Sequence, residues 1–462
     1  IMRSYVKNKI LKIVNNLELN PETFRHFFKN PNKDFTRNRK QSFSDIVKIG
    51  LLSSGSCMKE ELRKYHGLGS DRPSPSAYIQ QRDKLTVDCY NSLFNHFLEL
   101  NTPFTLIKNK YLLVACDGSD INLCPSEKDE STKLNSTNNP NNKVCNQIHL
   151  NALSVVPDGY FIDYFIQDNV DKNEDLACAQ MMENLSAKNL KQKIIITCDR
   201  GYESYYLMML AQSLGFYFCI RAKDIYSNGI SSRYKDLIDE NGNLDEIIKK
   251  KYSRCIAVSH NKTLYPDYIY IPPSVNNSFI PKTNNKAGRN KTIEVSYYSF
   301  SFRLVRFDLG GGNYETLLTN LPQGEFSLEE LKQLYHLRWG IETAFRFLKY
   351  DDYLSFSNTK KKVTAIGEII FSMIFHNICI SVLIAFNEKH LRKLSSRKYL
   401  YKVSYSDLSK SLRLYIAGRD PTINVNKIVK ELLMTIQPIR NERIFSRILN
   451  KRSFVPFIYR AA

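Results

Sequence analysis

Hydrophobic and polar positions divide the chain into segments with different periods. Residues 1 to about 100 show the spacing of amphipathic helices, whereas near-continuous apolar runs between residues 110 and 222 predict buried strands. The predicted order in this second segment is three strands, a helix, a strand, a helix and a strand. From about 223 to 320, short alternating runs split by Pro, Gly and Asn predict a β-rich insertion that does not continue this sheet. Helical spacing returns after residue 323.

One apolar segment, Val363 to Phe386, is long enough to span a membrane. Glu368 and His376 lie inside it, and a basic run at residues 360–362 precedes it. Ionisable side chains are costly inside a bilayer. We therefore expect a buried helix of a large soluble protein and no membrane partner.

The composition narrows the class of protein and of partner. A hydrophobic content of 43% over 462 residues describes a globular chain, with room for about two to four domains. The 66 Lys and Arg residues against 46 Asp and Glu give a net charge of +20, which favours DNA, RNA or an acidic membrane as partner. An AT-rich genome would also enrich Lys and Asn, but it does not explain the Arg residues. We therefore favour a nucleic acid.

The ten cysteines are scattered, with no CxxC pair and no Cys/His cluster at the spacing of a zinc site. They are expected to be small buried residues of a protein from a reducing compartment. Residues 1–14 hold no long apolar run, so no signal peptide is expected.

A cationic run precedes one of the N-terminal helices. Arg37, Arg39 and Lys40 come just before an apolar-periodic segment that a serine at position 42 or 44 could cap. Together with Lys48, they favour DNA binding by a small helical module. The alternative is a solvated charged face on a helical scaffold.

Two of the predicted strands end on a carboxylate. Asp117 ends the run YLLVACD, and Asp199 ends the run KIIITCD. A carboxylate there is costly unless it is solvated, hydrogen-bonded or bound to a cation. Each aspartate could also be a turn or capping residue, because DGS and DRG are plausible turn sequences. Strand alternation points Cys116 and Cys198 to the opposite face, so we expect core residues there and not ligands.

A charged stripe borders the apolar face of a later helix. A capping box of Ser327 and Glu330 predicts where this helix begins. At about 100° per residue, the stripe is about 80° wide and abuts the apolar stripe. Its members are Tyr335, Arg338, Glu342, Arg346 and Lys349. By themselves, ion pairs of Glu342 with Arg338 and Arg346, worth about 0.3–0.5 kcal/mol each, would explain it.

Three acids from two strands and a helix can instead converge at the carboxyl edge of a sheet. Asp117, Asp199 and Glu342 would then hold two Mg²⁺ ions about 3.5–4 Å apart, an arrangement that catalyses phosphoryl transfer. Mn²⁺ is expected to substitute for Mg²⁺.

Three motifs resemble those of a known family. The spacing of Tyr335, Arg338, Glu342 and Lys349 matches the tyrosine–arginine–glutamate–lysine signature of the insertion-sequence-four family of DDE transposases. The stretch CDGSDINL resembles that family's first aspartate motif and TCDRGYES its second. YETLLTNLPQGEFSLEEL resembles the lead into the signature helix. The resemblance covers most of residues 35 to 385.

The resemblance implies an α/β fold with an RNase H-like catalytic core, a mixed sheet flanked by helices, interrupted by a β-rich insertion domain. The predicted domains are 1–104, helical and DNA-binding; 105–222, the first part of the core; 223–322, the insertion; 323–388, the second part of the core with the signature helix; and 389–462, a helical basic region. That last region could serve dimerisation or could bind DNA through Arg440, Arg443, Arg447 and Arg452.

The implied activity is metal-dependent cleavage at the ends of a mobile element and joining of its 3′-hydroxyls to target DNA. The three acids would be the metal ligands, and Tyr335, Arg338 and Lys349 would hold the transposon end. Arg346, outside the signature, is a further candidate for phosphate contact. The implied partners are double-stranded terminal repeats, target DNA and a second copy of the chain. The implied location is the cytoplasm of a prokaryote, near the nucleoid.

Some family members pass through a DNA hairpin and flip a base against an aromatic residue of the insertion. The only Trp here, Trp339, lies in the signature helix, so a Tyr or Phe would have to serve. Two other functions remain open: a structure-specific nuclease on the same core, and a domesticated DNA-binding protein. The latter is expected to have lost an acid or part of the signature, and all are present.

Overall fold

The chain alternates helices and strands in an arrangement of mixed α/β class. The computed structural model describes residues 2–37, 39–69, 72–99, 102–134, 145–282, 295–355, 359–389, 399–418, 420 and 422–439. The described helices are α1 (Met2–Asn16), α2 (Pro21–Phe24), α3 (Phe43–Leu51), α4 (Met58–His66), α5 (Pro75–Arg82), α6 (Val87–Phe97), α7 (Glu174–Ala187), α8 (Tyr205–Ser213), α9 (Ile256–His260), α10 (Leu328–Leu337), α11 (Gly340–Arg346), α12 (Lys362–Lys389), α13 (Tyr405–Ala417) and α14 (Val425–Met434). The described strands are β1 (Tyr111–Leu123), β2 (Asn146–Val155), β3 (Tyr160–Asp168), β4 (Lys193–Cys198), β5 (Tyr217–Arg221), β6 (Leu244–Ser253), β7 (Tyr268–Tyr270), β8 (Tyr298–Gly310), β9 (Asn313–Thr319), β10 (Leu400–Lys402) and β11 (Gln437–Ile439). The arginines at 440, 443, 447 and 452, with their predicted role, lie outside the described residues.

A nine-stranded mixed sheet forms the centre of the protein, in the order β3-β2-β1-β4-β5-β9-β8-β6-β7. β1 is antiparallel to β2 and parallel to β4, and β5 is parallel to β4. Chain order in this half is β1, β2, β3, α7, β4, α8, β5, so the predicted order of elements is confirmed. Leu112, Leu113 and Val114 of β1 are all buried, as expected for a strand covered on both faces.

The strands between residues 223 and 322 extend the same sheet. β9 pairs antiparallel with β5, with Cys219 opposite Thr319, and β8, β6 and β7 follow outward. The prediction that these strands do not continue the α/β sheet is therefore wrong. The physical reason is that the last five residues of β9 are buried on both faces, as in a strand of the covered central sheet and not in a solvated separate one. The domain boundaries at 222 and 322 stay a prediction.

Helix α12 is the apolar segment that resembles a membrane span. It is the one described helix long and apolar enough to cross a membrane, and 89% of its most apolar window is buried inside the protein. It packs against α1, α3, α6, α13 and β3. Its ionisable groups are paired: Glu368 accepts a hydrogen bond from Arg82 at 3.1 Å, and His376 is bonded to Tyr405 Oη at 2.8 Å and to the Gly159 carbonyl at 2.9 Å.

The signature helix is broken into two. α10 begins at the capping box of Ser327 and Glu330, as predicted, but it ends at Leu337, and α11 begins at Gly340. A tighter turn joins them, in which the Trp339 N–H donates to the His336 carbonyl at 3.2 Å.

Gly340 packs closely against Val156, the residue that follows β2. A Cβ on Gly340 would lie 2.9 Å from Cγ1 of Val156, so a larger residue there would require Val156 to shift. Trp339, the residue before Gly340, is 52% exposed. The segment after α11, Phe347–Asp351, winds as a π-helix, which shifts Lys349 from its ideal α-helical position.

Candidate active site

Asp117 and Asp199 lie side by side at one edge of the sheet. Cys116 and Cys198 are register partners on the parallel strands β1 and β4. Asp199 directly follows the end of β4, but β1 continues past Asp117 to Leu123, so the prediction that this strand ends on Asp117 is wrong. The physical reason is that β2 goes on pairing with β1 here, with Asp117 opposite Ala152. Oδ1 of Asp117 accepts the N–H of Gly118 at 2.8 Å. Asp199 caps a short 3-10 turn, Arg200–Tyr202, and accepts the N–H of Gly201 at 2.7 Å. Asp199 therefore has the capping role that the sequence offered as an alternative, and it also lies next to Asp117.

Arg338 links Glu342 to Asp117. Helix α11 packs on β1, and Arg338 Nη2 donates to Oε1 of Glu342 at 2.8 Å. Nη1 of the same guanidinium lies 3.7 Å from Oδ2 of Asp117. The side chains of Asp117 and Glu342 remain 21% and 35% exposed, which leaves both acids accessible from solvent. Arg338 thus connects Glu342 with Asp117, while Asp199 lies beside Asp117 at the end of the neighbouring strand β4.

The electrostatic balance of this edge is negative. Burial, together with the charges of Asp199 and Glu342, raises the pKa of Asp117 to about 6, although the Gly118 N–H and Arg338 oppose the shift. One guanidinium against three carboxylates leaves negative charge at the edge. Carboxylate oxygens are the hard ligands that Mg²⁺ and Mn²⁺ prefer, so the donor set fits divalent cations of this class.

The other signature residues lie at different depths. Tyr335 is only 6% exposed, and its hydroxyl has no hydrogen-bond partner among the described residues. The centroid of its ring lies 5.6 Å from Cζ of Arg338, so it packs beside that guanidinium, which is itself 7% exposed. Arg346 is exposed, and Lys349 is half-buried on the π-helical segment. The charged stripe is therefore split between the interior and the surface.

The N-terminal cationic residues lie on the surface of the protein. They are far from the three acids in sequence. Arg37, Arg39 and Lys40 are exposed in the segment before α3. Ser42 caps α3 through a capping box with Asp45, which confirms the predicted helix start. The DNA contact of these three cations stays a prediction.

A polar network lies beside the acids, and the sequence patterns did not predict it. His149 on β2 lies opposite Asp120 on β1, with 2.6 Å between Nδ1 and Oδ1. Its Nε2 is 3.1 Å from Oε1 of Glu174, and Nζ of Lys172 lies 3.4 Å and 3.3 Å from the two carboxylates. Asp120 stands in the CDGSD stretch, but nothing in one sequence pairs it with His149, because strand register is decided by tertiary contacts.

Two glycines lie between this network and the two aspartates: Gly118 follows Asp117, and Gly201 lies beside Asp199 and Glu174. A Cβ on Gly118 would lie 2.2 Å from Nε2 of His149, so Gly118 leaves the room that the imidazole occupies. A Cβ on Gly201 would lie 3.0 Å from Oδ1 of Asp199 and 3.8 Å from Oε2 of Glu174. Glu174 is consequently a fourth carboxylate close to the three-acid edge.

A cationic cleft lies on the outer strands of the sheet. Its volume is about 1070 Å³, and Arg233, Lys249, Lys250 and Lys262 are among the residues that line it. It is lined by α9 and by the strands β6 and β7, not by the acids. In the sequence, these lysines carry no signal of a site, because a run of charges on an alternating strand usually marks a solvated face.

Comparisons with known proteins identify the family of the chain. No curated protein matches the chain. A cryo-EM structure of the piggyBac transposase synaptic complex with hairpin DNA aligns with a TM-score of 0.45 and 10% identity, over 94% of this chain and 82% of that chain. The family model described as "Transposase DDE domain" matches residues 108–378, more than half of the chain and a range that contains all three acids. The chain therefore belongs to the family of the transposase DDE domain.

Proposed function

We propose that this protein is a DNA transposase that cleaves the ends of a mobile element and joins the freed 3′-hydroxyls to target DNA. The observation that carries the proposal is the convergence of Asp117, Asp199 and Glu342 on one sheet edge, within the residues that match the family model. Membership of the insertion-sequence-four family and an RNase H-like core for β1 to β5 belong to the same proposal. The signature spacing and the strand order 3-2-1-4-5 support them.

The three acids would hold two divalent cations, Mg²⁺ with Mn²⁺ as a substitute. When bound, such ions activate the attacking oxygen and stabilise the leaving oxygen of a phosphodiester. The fit rests on the hard oxygen donors and on the uncompensated negative charge that, together with burial, raises the pKa of Asp117.

We assign different roles to the other residues of the charged stripe according to how deeply each side chain is buried. Arg338 and Tyr335 are nearly buried, so we assign them to holding Glu342 and Asp117 in place. Arg346 and Lys349 lie closer to solvent, and we assign phosphate contact at the element end to them first. A lysine or arginine there would neutralise backbone charge without reading the base sequence.

Double-stranded DNA is the proposed partner, in agreement with the net charge of +20. Two surfaces are candidates for contact away from the acids: the run of Arg37, Arg39 and Lys40, and the cleft lined by Lys249 and Lys250. A homodimer that pairs two element ends, and a hairpin intermediate, are finer parts of the proposal and follow from the family resemblance alone.

The test is an in vitro reaction with labelled DNA that carries the element's terminal inverted repeats, together with a supercoiled target plasmid. Reactions contain Mg²⁺, Mn²⁺ or EDTA, and either the unchanged protein or Glu342→Gln. The matched control is Glu329→Gln, the same change at an exposed position of α10. Metal-dependent cutting followed by joining, lost in Glu342→Gln and kept in the control, is the expected result.

Two other outcomes would replace the proposal. Cutting without joining to the plasmid under any metal would indicate a structure-specific nuclease. Specific binding of the repeats without cutting would indicate a protein that has kept the acids but only binds DNA.

A further inference from the structure

Three cysteines meet on the face of the sheet opposite Asp117 and Asp199. The Sγ atoms of Cys116, Cys178 and Cys198 all lie within 4.8 Å of one another. Their residues are 0%, 0% and 1% exposed, so the three thiols meet inside the protein, away from solvent. Within the part of the chain that the structure describes, this is the one group of three or more His, Cys, Asp or Glu side chains with such spacing.

The sheet and one helix build this cluster. Cys116 and Cys198 are register partners on β1 and β4, and alternation along each strand turns their side chains away from Asp117 and Asp199. Helix α7, which packs on β2 and β3, supplies Cys178 from its buried face. The expectation of core positions for Cys116 and Cys198 is confirmed; the structure adds that a third thiol meets them.

A second polar group accompanies the thiols. Tyr202 is 1% exposed, and its hydroxyl finds no hydrogen-bond partner among the residues described. The tyrosine interacts electrostatically with each of Cys116, Cys178 and Cys198. A buried hydroxyl without a partner costs about 1–3 kcal/mol, so such a group needs an explanation.

Simple core packing is the competing explanation, since a free cysteine behaves as a small hydrophobic residue. Cys89 and Cys379 illustrate this case, because each is fully buried outside any such group. Packing alone does not account for three sulfurs that converge on one point with an unpartnered hydroxyl beside them. A bound cation would use the three sulfurs.

We propose that Cys116, Cys178 and Cys198 form a binding site for one soft, thiolate-preferring cation. Cu⁺ would use the three sulfurs alone, and Zn²⁺ would add the Tyr202 oxygen as a fourth ligand. Binding replaces three S–H protons, which leave to solvent, with three metal–sulfur bonds. Such bonds of about 2.3 Å place the sulfurs roughly 4 Å apart, within the observed limit of 4.8 Å.

This site is separate in chemistry from the acid edge. Sulfur ligands select soft cations, whereas the carboxylates on the other face of the same strands select hard ones such as Mg²⁺. An ion on the three sulfurs would tie β1, β4 and α7 together behind Asp117 and Asp199. Since the sulfurs are buried, the ion would enter during folding or through local opening.

The test uses the full-length chain with Cys57→Ser and Cys124→Ser, which removes the two cysteines of intermediate exposure. The protein is unfolded, refolded with Zn²⁺ or with Cu⁺ under reducing conditions, and desalted. Bound metal per chain is then measured, with Cd²⁺ as a spectroscopic probe of sulfur-to-metal charge transfer. We expect one bound ion per chain in this Cys57→Ser, Cys124→Ser protein, which is the background protein for the variants below.

Matched variants assign that ion to the cluster. Cys178→Ala is expected to weaken binding at least tenfold, whereas Cys89→Ala, which removes a sulfur from another buried position, leaves it unchanged. Tyr202→Phe weakening Zn²⁺ but not Cu⁺ would assign Zn²⁺, and no effect of this variant on either ion would assign Cu⁺ on three sulfurs.

Far-UV circular dichroism checks that each variant folds, and Cys178→Ser, closer in volume, replaces Cys178→Ala if it does not. X-ray absorption of the metal-loaded background protein counts sulfur ligands without any change to the cluster. No bound ion, fewer than three sulfur ligands, or equal binding in the cluster variant and in Cys89→Ala would overturn the proposal. None of these readouts needs DNA, so the outcome does not depend on the proposed transposase activity.

Discussion

Arg338 donates a hydrogen bond of 2.8 Å to Glu342 and places its other terminal nitrogen 3.7 Å from Asp117. A nearly buried guanidinium thus links an acid of the signature segment to an acid of the central sheet. Like-charged carboxylates at short range repel one another. Arg338 offsets that repulsion, which allows the edge to assemble before any cation or DNA arrives.

Replacement of Arg338 by Met is expected to lower the free energy of unfolding by about 1–2 kcal/mol. The figure is below the value for a fully buried pair because both acids are partly exposed. Urea denaturation measures the change, and Mg²⁺ is expected to restore part of the stability by binding the folded state. Arg346→Met, at an exposed position, should cost less than about 0.5 kcal/mol. Equal costs for the two variants would contradict the bridging role of Arg338.

Asp117→Asn, Asp199→Asn and Glu342→Gln are each expected to reduce cleavage of terminal-repeat DNA at least about a thousandfold, since metal stabilisation of the transition state is worth several kcal/mol. Binding of the same DNA should be largely kept. Gel-shift and cleavage assays on one preparation separate the two effects. Retained cutting by any one of these variants would contradict the three-acid site.

Gly118→Ala is expected to destabilise the protein by about 1–3 kcal/mol, because the added methyl group overpacks against His149. Combination with His149→Ala should recover most of the loss, and a double-mutant cycle measures that coupling. Gly324→Ala, which meets nothing within 4 Å, is the control. Additive effects of Gly118→Ala and His149→Ala would show that the loss of stability does not come from overpacking against His149.

The His149 network predicts a dependence of stability on pH. Burial lowers the pKa of His149, but hydrogen bonds to Asp120 and Glu174 outweigh it and leave the pKa above the usual 6.5. The stabilisation is therefore complete below about pH 6.5 and is lost as the pH rises through the higher folded pKa. Unfolding free energies from pH 6 upward should fall more in the unchanged protein than in His149→Gln. His26→Gln, at an exposed histidine, should follow the unchanged protein.

Replacement of Arg37, Arg39 and Lys40 by Ala is expected to weaken binding of terminal-repeat DNA and to reduce its salt dependence. For every phosphate that the variant no longer neutralises, the slope of log K against log salt should change by about 0.9. Fluorescence anisotropy at several salt concentrations measures the slope. Lys410→Ala with Lys427→Ala and Lys430→Ala, three exposed lysines on α13 and α14, removes the same number of positive charges and controls for net charge. An unchanged slope would place these cations outside the DNA contact.

Local patterns in the sequence account for much of the core. Runs such as that of β4 are apolar enough to predict buried strands, and Ser42 and Ser327 cap helices where their spacing predicts. The place of Asp199 at the end of β4 also follows from these patterns, whereas the continuation of β1 beyond Asp117 does not. The break in the signature helix does not follow from them, and neither does the close approach of Gly340 to Val156, a residue far away in sequence.

The sequence by itself determined the order of the core elements, the three candidate acids and the cationic character of the chain, because periodicity, caps and charge are local properties. Only the tertiary structure decided that β9 joins β5, that Arg338 bridges Asp117 and Glu342, and that Cys178 meets two strand cysteines. These relationships depend on which strand edges pair and which helix covers them. Such choices are made by contacts between distant parts of the chain, and a single sequence does not reveal them.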